Sequence, residues 1–471
     1  PLEVSTESLG QVSTTPVSRL TAPDSLSAFF ARSVVPGLVG TALIGAGAIG
    51  VGWVPVKGSL PAPPLIDVLQ STTFGTIAAA CSLVAGVVIL LLAWLQLGTE
   101  LTRSGSTDLR RLWLTLAAWS VPLLLTPPLF SRDVYSYVAQ GKLMAGGFNP
   151  YLTGPSVMPG WVSNGVDPLW ADSTSPYGQV FLLFGRLFSE IAGPSAFSMA
   201  LMFRVLAVAG VAILAWAVPV LAKAYGVNPA RALWLGVLNP LVFMHFISGA
   251  HNDALMIGLI AAGFALVVRK HPYVGVLLIT MGAAIKPIGL VALPFAGLLW
   301  AGQGAPMMLV ARRWVQSAAV AITVMVGLAV VSGTGFGWLN AVATPASVKT
   351  WLSPPTAAGM ALGAVVDVGG FNATDTLISA FRVLATVAAL AFIAYLCLRP
   401  GTRNPVRAAG LAFLALVVLG PAVQPWYLLW CLPLLAATAL TKIETKWMIY
   451  GTVGLTLFSL VSHLCDGAGY L

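Results

Sequence analysis

Apolar runs long enough to cross a bilayer recur throughout this chain and leave it few folds to choose from. A helical span needs about 20 mostly apolar residues. Candidate spans lie at 36–56, 74–97, 109–126, 196–221, 230–247, 254–268, 273–285, 287–300, 314–331, 377–398, 406–420, 427–440 and 447–463. Backbone N–H and C=O groups in hydrocarbon must be satisfied within the protein, so spanning segments are helices or closed barrels. Runs of this length imply helices. The expected fold is an all-α polytopic membrane bundle of about 13 transmembrane helices. Composition agrees, since 58% of the 471 residues are hydrophobic and only 8% are charged, against about 25% charged in soluble domains.

The runs also set the domain plan. The first 27 residues are rich in Ser and Thr and hold no apolar run. Residues 1–30 are expected to form a disordered cytoplasmic tail, and 31–471 a single transmembrane domain. The short runs 273–285 and 287–300 meet at Lys286-Pro287 and read as a helical hairpin or as broken helices. The apolar run 178–191 is interrupted by Arg186 and Glu190 and reads as a helix lying on the membrane surface.

Charge placement orients the bundle. Sixteen of the 24 Lys and Arg residues fall on one side, among them Arg103, Arg110, Arg111, Arg269, Lys270, Arg312 and Arg313. Cationic residues in short loops mark the cytoplasmic side. The net charge of +9 is spread over these loops and is no nucleic-acid footprint. The N-terminus is then cytoplasmic, and the long loops 127–194 and 332–376 lie outside. A surface helix at 178–191 preserves this pattern, whereas a span there would reverse every later loop. Cys81, Cys397, Cys431 and Cys465 show no metal or disulfide spacing, and the first three read as small buried hydrophobes. No metal and no cofactor is expected.

Polar groups beside apolar runs are costly and mark sites. Here they collect on the outer side. Asp133 follows the third run, with Arg132 before it, Tyr135 and Tyr137 after it, and Asn149-Pro150-Tyr151 closing the stretch. Asp133 is read either as a helix cap or as a base that takes a proton from a sugar hydroxyl. His251, Asn252 and Asp253 open the sixth run, again as a cap or as a site. Lys286 sits between Ile285 and Pro287 and reads either as a cation for an anion, a lipid phosphate at this depth, or as a lysine that snorkels to the headgroups. Arg204 and Arg382 are lone charges near outer span ends, suited to phosphate or to a structural acid such as Asp375. Gln424, Trp426 and Tyr427 combine an amide with aromatic rings that suit a sugar face, the two rings being read alternatively as interfacial belt, and Trp161, Trp170, Tyr177, Trp338 and Trp351 are further candidates for a carbohydrate groove or for interfacial anchors.

Taken together, the acid after an early span, Asn149-Pro150-Tyr151, the Ser175-Pro176-Tyr177-Gly178 turn, His251-Asn252-Asp253, Lys286-Pro287 and Gln424-Pro425-Trp426-Tyr427 resemble a GT-C glycosyltransferase. The nearest likeness is to the actinobacterial polyprenol-phosphomannose-dependent α-(1→6)-mannosyltransferases of lipomannan and lipoarabinomannan synthesis. The resemblance runs from about residue 109 to the C-terminus, with two further spans in front. It implies a GT-C bundle with external juxtamembrane helices in the plasma membrane. The implied reaction is inverting transfer of mannose from a polyprenyl-phosphate-mannose donor to a lipid-linked mannan acceptor on the outer face. By this resemblance Asp133 is the general base. Lys286 and one or two of Arg204, Arg382 and His251 would bind the lipid phosphate. Tyr135, Tyr137, Asn149, Tyr151, Asn252, Asp253, Gln424, Trp426 and Tyr427 bind sugar. Membrane lipids are the other partner, and nucleic acid is not one. A single Asp stands where some GT-C enzymes carry two acids.

Two other readings use the same composition. A secondary transporter would show matching broken helices in two halves and a midplane site, and only one broken pair is evident. A polyprenyl-phosphate flippase or binding protein would need Lys286 but not Asp133.

Overall fold

A computed structural model describes residues 26–55, 64–341 and 344–466. The described residues form helices and connecting turns without strands. Each of the thirteen apolar runs meets a helical element. The first run is helix α1, Val35–Val51, and the second is α2, Thr73–Ser104. Thr72 caps α2 by accepting the Gly75 N–H, and Gly105 ends it in the left-handed region at φ 61°. Helix α3, Leu109–Ser120, starts at Asp108, whose carboxylate accepts the Arg110 and Arg111 N–H groups.

The loop that follows is structured. It contains α4, Asp133–Ala145, and α5, Gln179–Ala192. Helix α5 is the amphipathic surface helix read from 178–191: Val180, Phe181, Leu182 and Phe188 are buried, while Leu187 and Ile191 are exposed. The rest of the bundle is α6 (Ala196–Ala224), α7 (Pro229–Gly236), α8 (Asp253–Val268), α9 (Pro272–Ala283), α10 (Leu293–Ala301), α11 (Met307–Ser332), α12 (Pro354–Asp367), α13 (Thr374–Leu398), α14 (Pro405–Leu419), α15 (Leu428–Ala436) and α16 (Lys442–Asp466). Helix α1 packs on α2, α8 on both α6 and α9, α12 on α13, and α14 on α15.

The structure departs from the sequence reading in five places. Among the described residues six helices are long and apolar enough to span, or seven counting one bent pair, with four shorter apolar helices of 10–17 residues beside them. Thirteen full-length spans are therefore not what the structure shows, because several runs are broken or short. The run 230–247 is not one helix. Pro240 lacks an N–H and pushes Asn239 out of the helical region, so α7 ends at Gly236 and a π-helical turn, Val242–Ser248, takes over. Asn239 repairs the break by accepting the Leu241 N–H at 3.0 Å and donating to Thr452 Oγ1 at 2.9 Å. The loop 332–376 contains a 14-residue helix, α12, begun by Ser353 and Pro354. Residues 26–30, assigned to the tail, are already helical, and residues 1–25 lie outside the described residues. Cys81 is exposed, whereas Cys397 and Cys431 are buried.

Candidate active site

Three breaks in helical runs build the site, two of them at prolines. A residue before proline is driven toward extended backbone. Lys286 (φ −143°, ψ 117°) and Gln424 (φ −119°, ψ 150°) obey this, each standing in extended backbone directly ahead of a 3₁₀ turn. At the third, the bent pair Val242–Ser248 and Asp253–Val268 turns by 108° around His251-Asn252.

The external-loop helices close over these breaks. Gly178 lies so near the end of α9 that a Cβ there would stand 2.2 Å from the Ala284 carbonyl oxygen. Its N–H donates to Ile285 O at 3.0 Å, and Val180 N–H donates to Ala284 O at 3.0 Å. The Pro176-Tyr177-Gly178 turn is thereby tied to the residues just before Lys286. Helix α4 reaches α5 through Gly141 and Gly185, whose backbones would not admit a side chain at position 141.

An open pocket of about 650 Å³ results, lined by Asp133, Ser136, Gln140, Lys286, Gln424, Trp426 and Tyr427, with Trp170, Thr174, Tyr177, Thr344 and Val348 above. Both long loops contribute, so Asp133 and Lys286, far apart in sequence, face one cavity.

Asp133 is the first residue of α4, and its carboxylate does not cap the helix. Its backbone N–H donates to Ser131 Oγ at 3.1 Å. The side chain keeps 24% of its surface accessible and lies 3.7 Å from His251 Nδ1. Burial, opposed by Lys286 and reinforced by Asp253, raises its pKa to about 6. A carboxylate tuned toward neutrality has the character of a general base.

Below it lies a buried ion pair. Lys286 Nζ donates to Asp253 Oδ1 at 2.8 Å, with side-chain exposures of 14% and 0%. Trp430 Nε1 donates to the same oxygen at 2.6 Å. The Lys286 ammonium also stands 5.1 Å and 5.2 Å from the centroids of the Tyr427 and Trp430 rings. One of its three N–H groups is held by Asp253, and the other two remain for the pocket. His251 is fully buried, stacked on Trp426 with centroids 3.9 Å apart, and its Nδ1 is 3.4 Å from the Tyr137 hydroxyl.

The structure brings Asp133, Lys286, Gln424, Trp426 and Tyr427 to the pocket surface, and Tyr137, His251, Asn252 and Asp253 directly behind it. Asp253 holds Lys286 and Trp430 and is not part of the lining. Asn252 is 3% exposed, caps nothing with its side chain, and its amide atoms find no protein partner. The remaining expected residues have other partners. Arg204 is 2% exposed, and its guanidinium donates to Leu124 O at 3.0 Å, Thr126 O at 2.6 Å and Ser248 O at 2.8 Å. It is spent on carbonyls freed at helix ends. Arg382 donates to Thr356 Oγ1 and Val348 O, while Asp375 pairs with Lys349. Neither arginine lines the pocket. The Tyr135 hydroxyl donates to Trp53 O, Tyr151 donates to Tyr177 O, and Asn149 accepts the Tyr151 N–H. Of the loop aromatics Trp170 and Tyr177 reach the pocket, while Trp338 is buried elsewhere and Trp351 is exposed. Sequence reasoning missed Trp430, Ser136 and Gln140. Trp430 lies three residues beyond Tyr427, on the next turn of the same helical stretch, so helical spacing carried the signal for it.

A polytopic helical bundle with a carboxylate and an ammonium in one loop-covered pocket has the architecture of a membrane-embedded GT-C glycosyltransferase. Residues 34–302 match the model of the alpha-(1->6)-mannopyranosyltransferase N-terminal domain, and residues 355–470 match that of the MptB C-terminal domain. The chain is 34% identical to alpha-(1->6)-mannopyranosyltransferase A of Mycobacterium tuberculosis, over 92% of this chain and 84% of that protein. It is 33% identical to a probable alpha-(1->6)-mannopyranosyltransferase of Mycolicibacterium smegmatis, over 87% and 79%. It is 31% identical to alpha-(1->6)-mannopyranosyltransferase B of Corynebacterium glutamicum, over 86% and 72%. No solved structure matches the chain. The chain belongs to the alpha-(1->6)-mannopyranosyltransferase family.

Proposed function

We propose that this protein transfers mannose from a polyprenyl-phosphate-mannose donor to a lipid-linked mannan acceptor, forming an α-(1→6) linkage with inversion. The observation that carries this reading is the shared pocket of Asp133 and Lys286. Asp133 takes the proton of the acceptor 6-hydroxyl, whose oxygen attacks the anomeric carbon. The bond from that carbon to the phosphate oxygen breaks, and polyprenyl phosphate leaves with one more negative charge. Lys286, fixed by Asp253 and Trp430, meets that charge with its remaining N–H groups. A cation held in place in a dry site stabilises developing charge without reorganising. Asp133, partly accessible, returns its proton to solvent.

Gln424, Trp426, Tyr427, Trp170 and Tyr177 give the pocket the mix of rings and amide that suits sugar faces. The distribution of cationic loops supports an orientation in which the pocket opens to the outside, with the reaction in the outer leaflet of the plasma membrane and the N-terminus cytoplasmic. Lys286 alone remains as the direct phosphate contact. His251 stacks on Trp426 and stands 3.7 Å from Asp133, behind the pocket wall.

Purified protein in lipid nanodiscs, given polyprenyl-phosphomannose and a short α-mannoside, tests this directly. The expected product is the acceptor longer by one α-(1→6)-linked mannose. Donor binding with no extension of any mannoside would make the protein a lipid carrier instead.

A further inference from the structure

We propose that His463, far along the last helix, is a positioning residue for Asp133, acting through the strained residue Phe130 and the Trp53 segment. Phe130 is one of four non-glycine residues with positive φ among the described residues, at 64°. A bulky L-residue adopts that conformation only when its surroundings impose it. The turn it creates leads straight into Ser131 and Asp133.

The imposing contacts are specific. Phe130 N–H donates to His463 Nδ1 at 3.3 Å, across 333 residues. His463 Nε2 lies 3.0 Å from Val51 O. A carbonyl only accepts, so Nε2 carries the proton and Nδ1 offers a lone pair. Both bonds exist together only in this one neutral tautomer. The His463 ring, 5% exposed, also meets Phe130 at 5.4 Å and Trp53 edge-on at 5.9 Å.

Trp53 completes the clamp from the other side. Its N–H donates to Pro128 O at 2.9 Å, and its carbonyl accepts the Tyr135 hydroxyl at 2.9 Å. Its ring lies under the Arg132 guanidinium, 4.7 Å from the centroid. Residues 128, 130, 132 and 135, on both sides of Asp133, are therefore each held by Trp53 or His463. The N-terminal hairpin and the C-terminal helix grip the loop that carries the carboxylate, while neither Trp53 nor His463 lines the pocket.

The inference rests on Asp133 being the base. Turnover, donor KM and thermal unfolding are measured for His463→Phe, His463→Asn, Tyr135→Phe, Asp133→Asn and the pair Asp133→Asn with His463→Phe. His463→Phe keeps an aromatic ring and removes both polar atoms. It is expected to lower kcat about 10–100-fold, the range for displacing a reacting group by a fraction of an ångström to an ångström, with donor KM within about twofold. His463→Asn keeps an acceptor near the Nδ1 position and should recover much of that loss. Tyr135→Phe removes a single bond and should lower kcat less. In the Asp133→Asn background His463→Phe should change nothing further. Wild-type kcat in His463→Phe overturns the clamp. So does a parallel fall in kcat, donor affinity and unfolding temperature that His463→Asn does not relieve. Wild-type activity in Asp133→Asn overturns the reading of the base instead.

Discussion

Helices α13 and α8 are both largely apolar, yet they occupy opposite environments. Helix α13 runs unbroken for 25 residues, and its spanning window is only 17% buried. Val383, Leu384 and Val387 are each 60% exposed or more. Helix α8 is shorter, follows a 108° bend, and is buried on nearly every face from Asp253 to Val267. A helix apolar all round is either wrapped by protein or bathed in lipid. What separates the two is where the polar groups lie: those of α13 sit toward its first turns, with Asp375 exposed, whereas those leading into α8 are fully buried. Helix α13 can stand in lipid because its backbone is satisfied internally. The segment leading into α8 carries His251, Asn252 and Asp253 and leaves backbone groups unpaired at its bend, so it must be enclosed. Arg204 meets one of those carbonyls, Ser248 O, and Lys286 meets Asp253. The broken interior positions charged groups, and the continuous exterior holds it in the membrane.

The largest expected effect lies at the interior pocket. Asp133→Asn should lower turnover about 10²–10⁴-fold, the usual contribution of a general base. It should not loosen the fold. The folded pKa of about 6 stands above the ordinary 3.8, so the folded state favours the protonated form. Stability falls as pH rises from 3.8 through 6, and the penalty, at most about 3 kcal/mol, is fully present above that. The amide escapes it, so at pH 7.5 the variant should unfold at the same temperature as the parent or higher. A lower unfolding temperature would contradict the burial argument.

Next in size is the ion pair. Lys286→Met leaves Asp253 buried and uncompensated, which should cost about 3–5 kcal/mol of stability. Adding Asp253→Asn should recover a large part of it, as read from thermal unfolding in one detergent. A double variant no more stable than Lys286→Met would mean that the pair is not the local keystone.

A pH profile sharpens the same contrast. Asp133 acts ionised, so kcat/KM in the wild type should fall about tenfold per pH unit below about 6 and level off above it. A profile flat down to pH 5 would remove Asp133 from the chemistry. The smallest effect belongs to the lipid-facing side: Val387→Ala should shift stability within about 0.5 kcal/mol and leave turnover unchanged.

The thirteen helical regions were legible because hydropathy reports burial in protein or lipid alike, and for the same reason it could not tell α13 from α8. The breaks at Lys286-Pro287 and Gln424-Pro425 were legible because proline acts on its immediate neighbour. Asn239-Pro240 carried the same signal inside a longer apolar run and was overridden by it. Asp133, Lys286 and Gln424 could be placed together because each breaks an apolar background on the same side. The partners of Arg204, Arg382 and Tyr135 could not. They are backbone carbonyls and a threonine hydroxyl between 26 and 82 residues away, and no local pattern announces a carbonyl left open by a distant helix end. Helix α12 went unseen because its apolar stretch is too short to read as a span.

The central claim divides labour between two residues of one cavity. The measurement that tests it most directly is donor binding and single-turnover transfer, both on the same preparations of Asp133→Asn and Lys286→Met. The account predicts a crossed pattern. Asp133→Asn binds polyprenyl-phosphomannose as the wild type does and transfers almost none of it, while Lys286→Met loses donor affinity. Transfer at the wild-type rate by Asp133→Asn, or unchanged donor affinity in Lys286→Met, would contradict it.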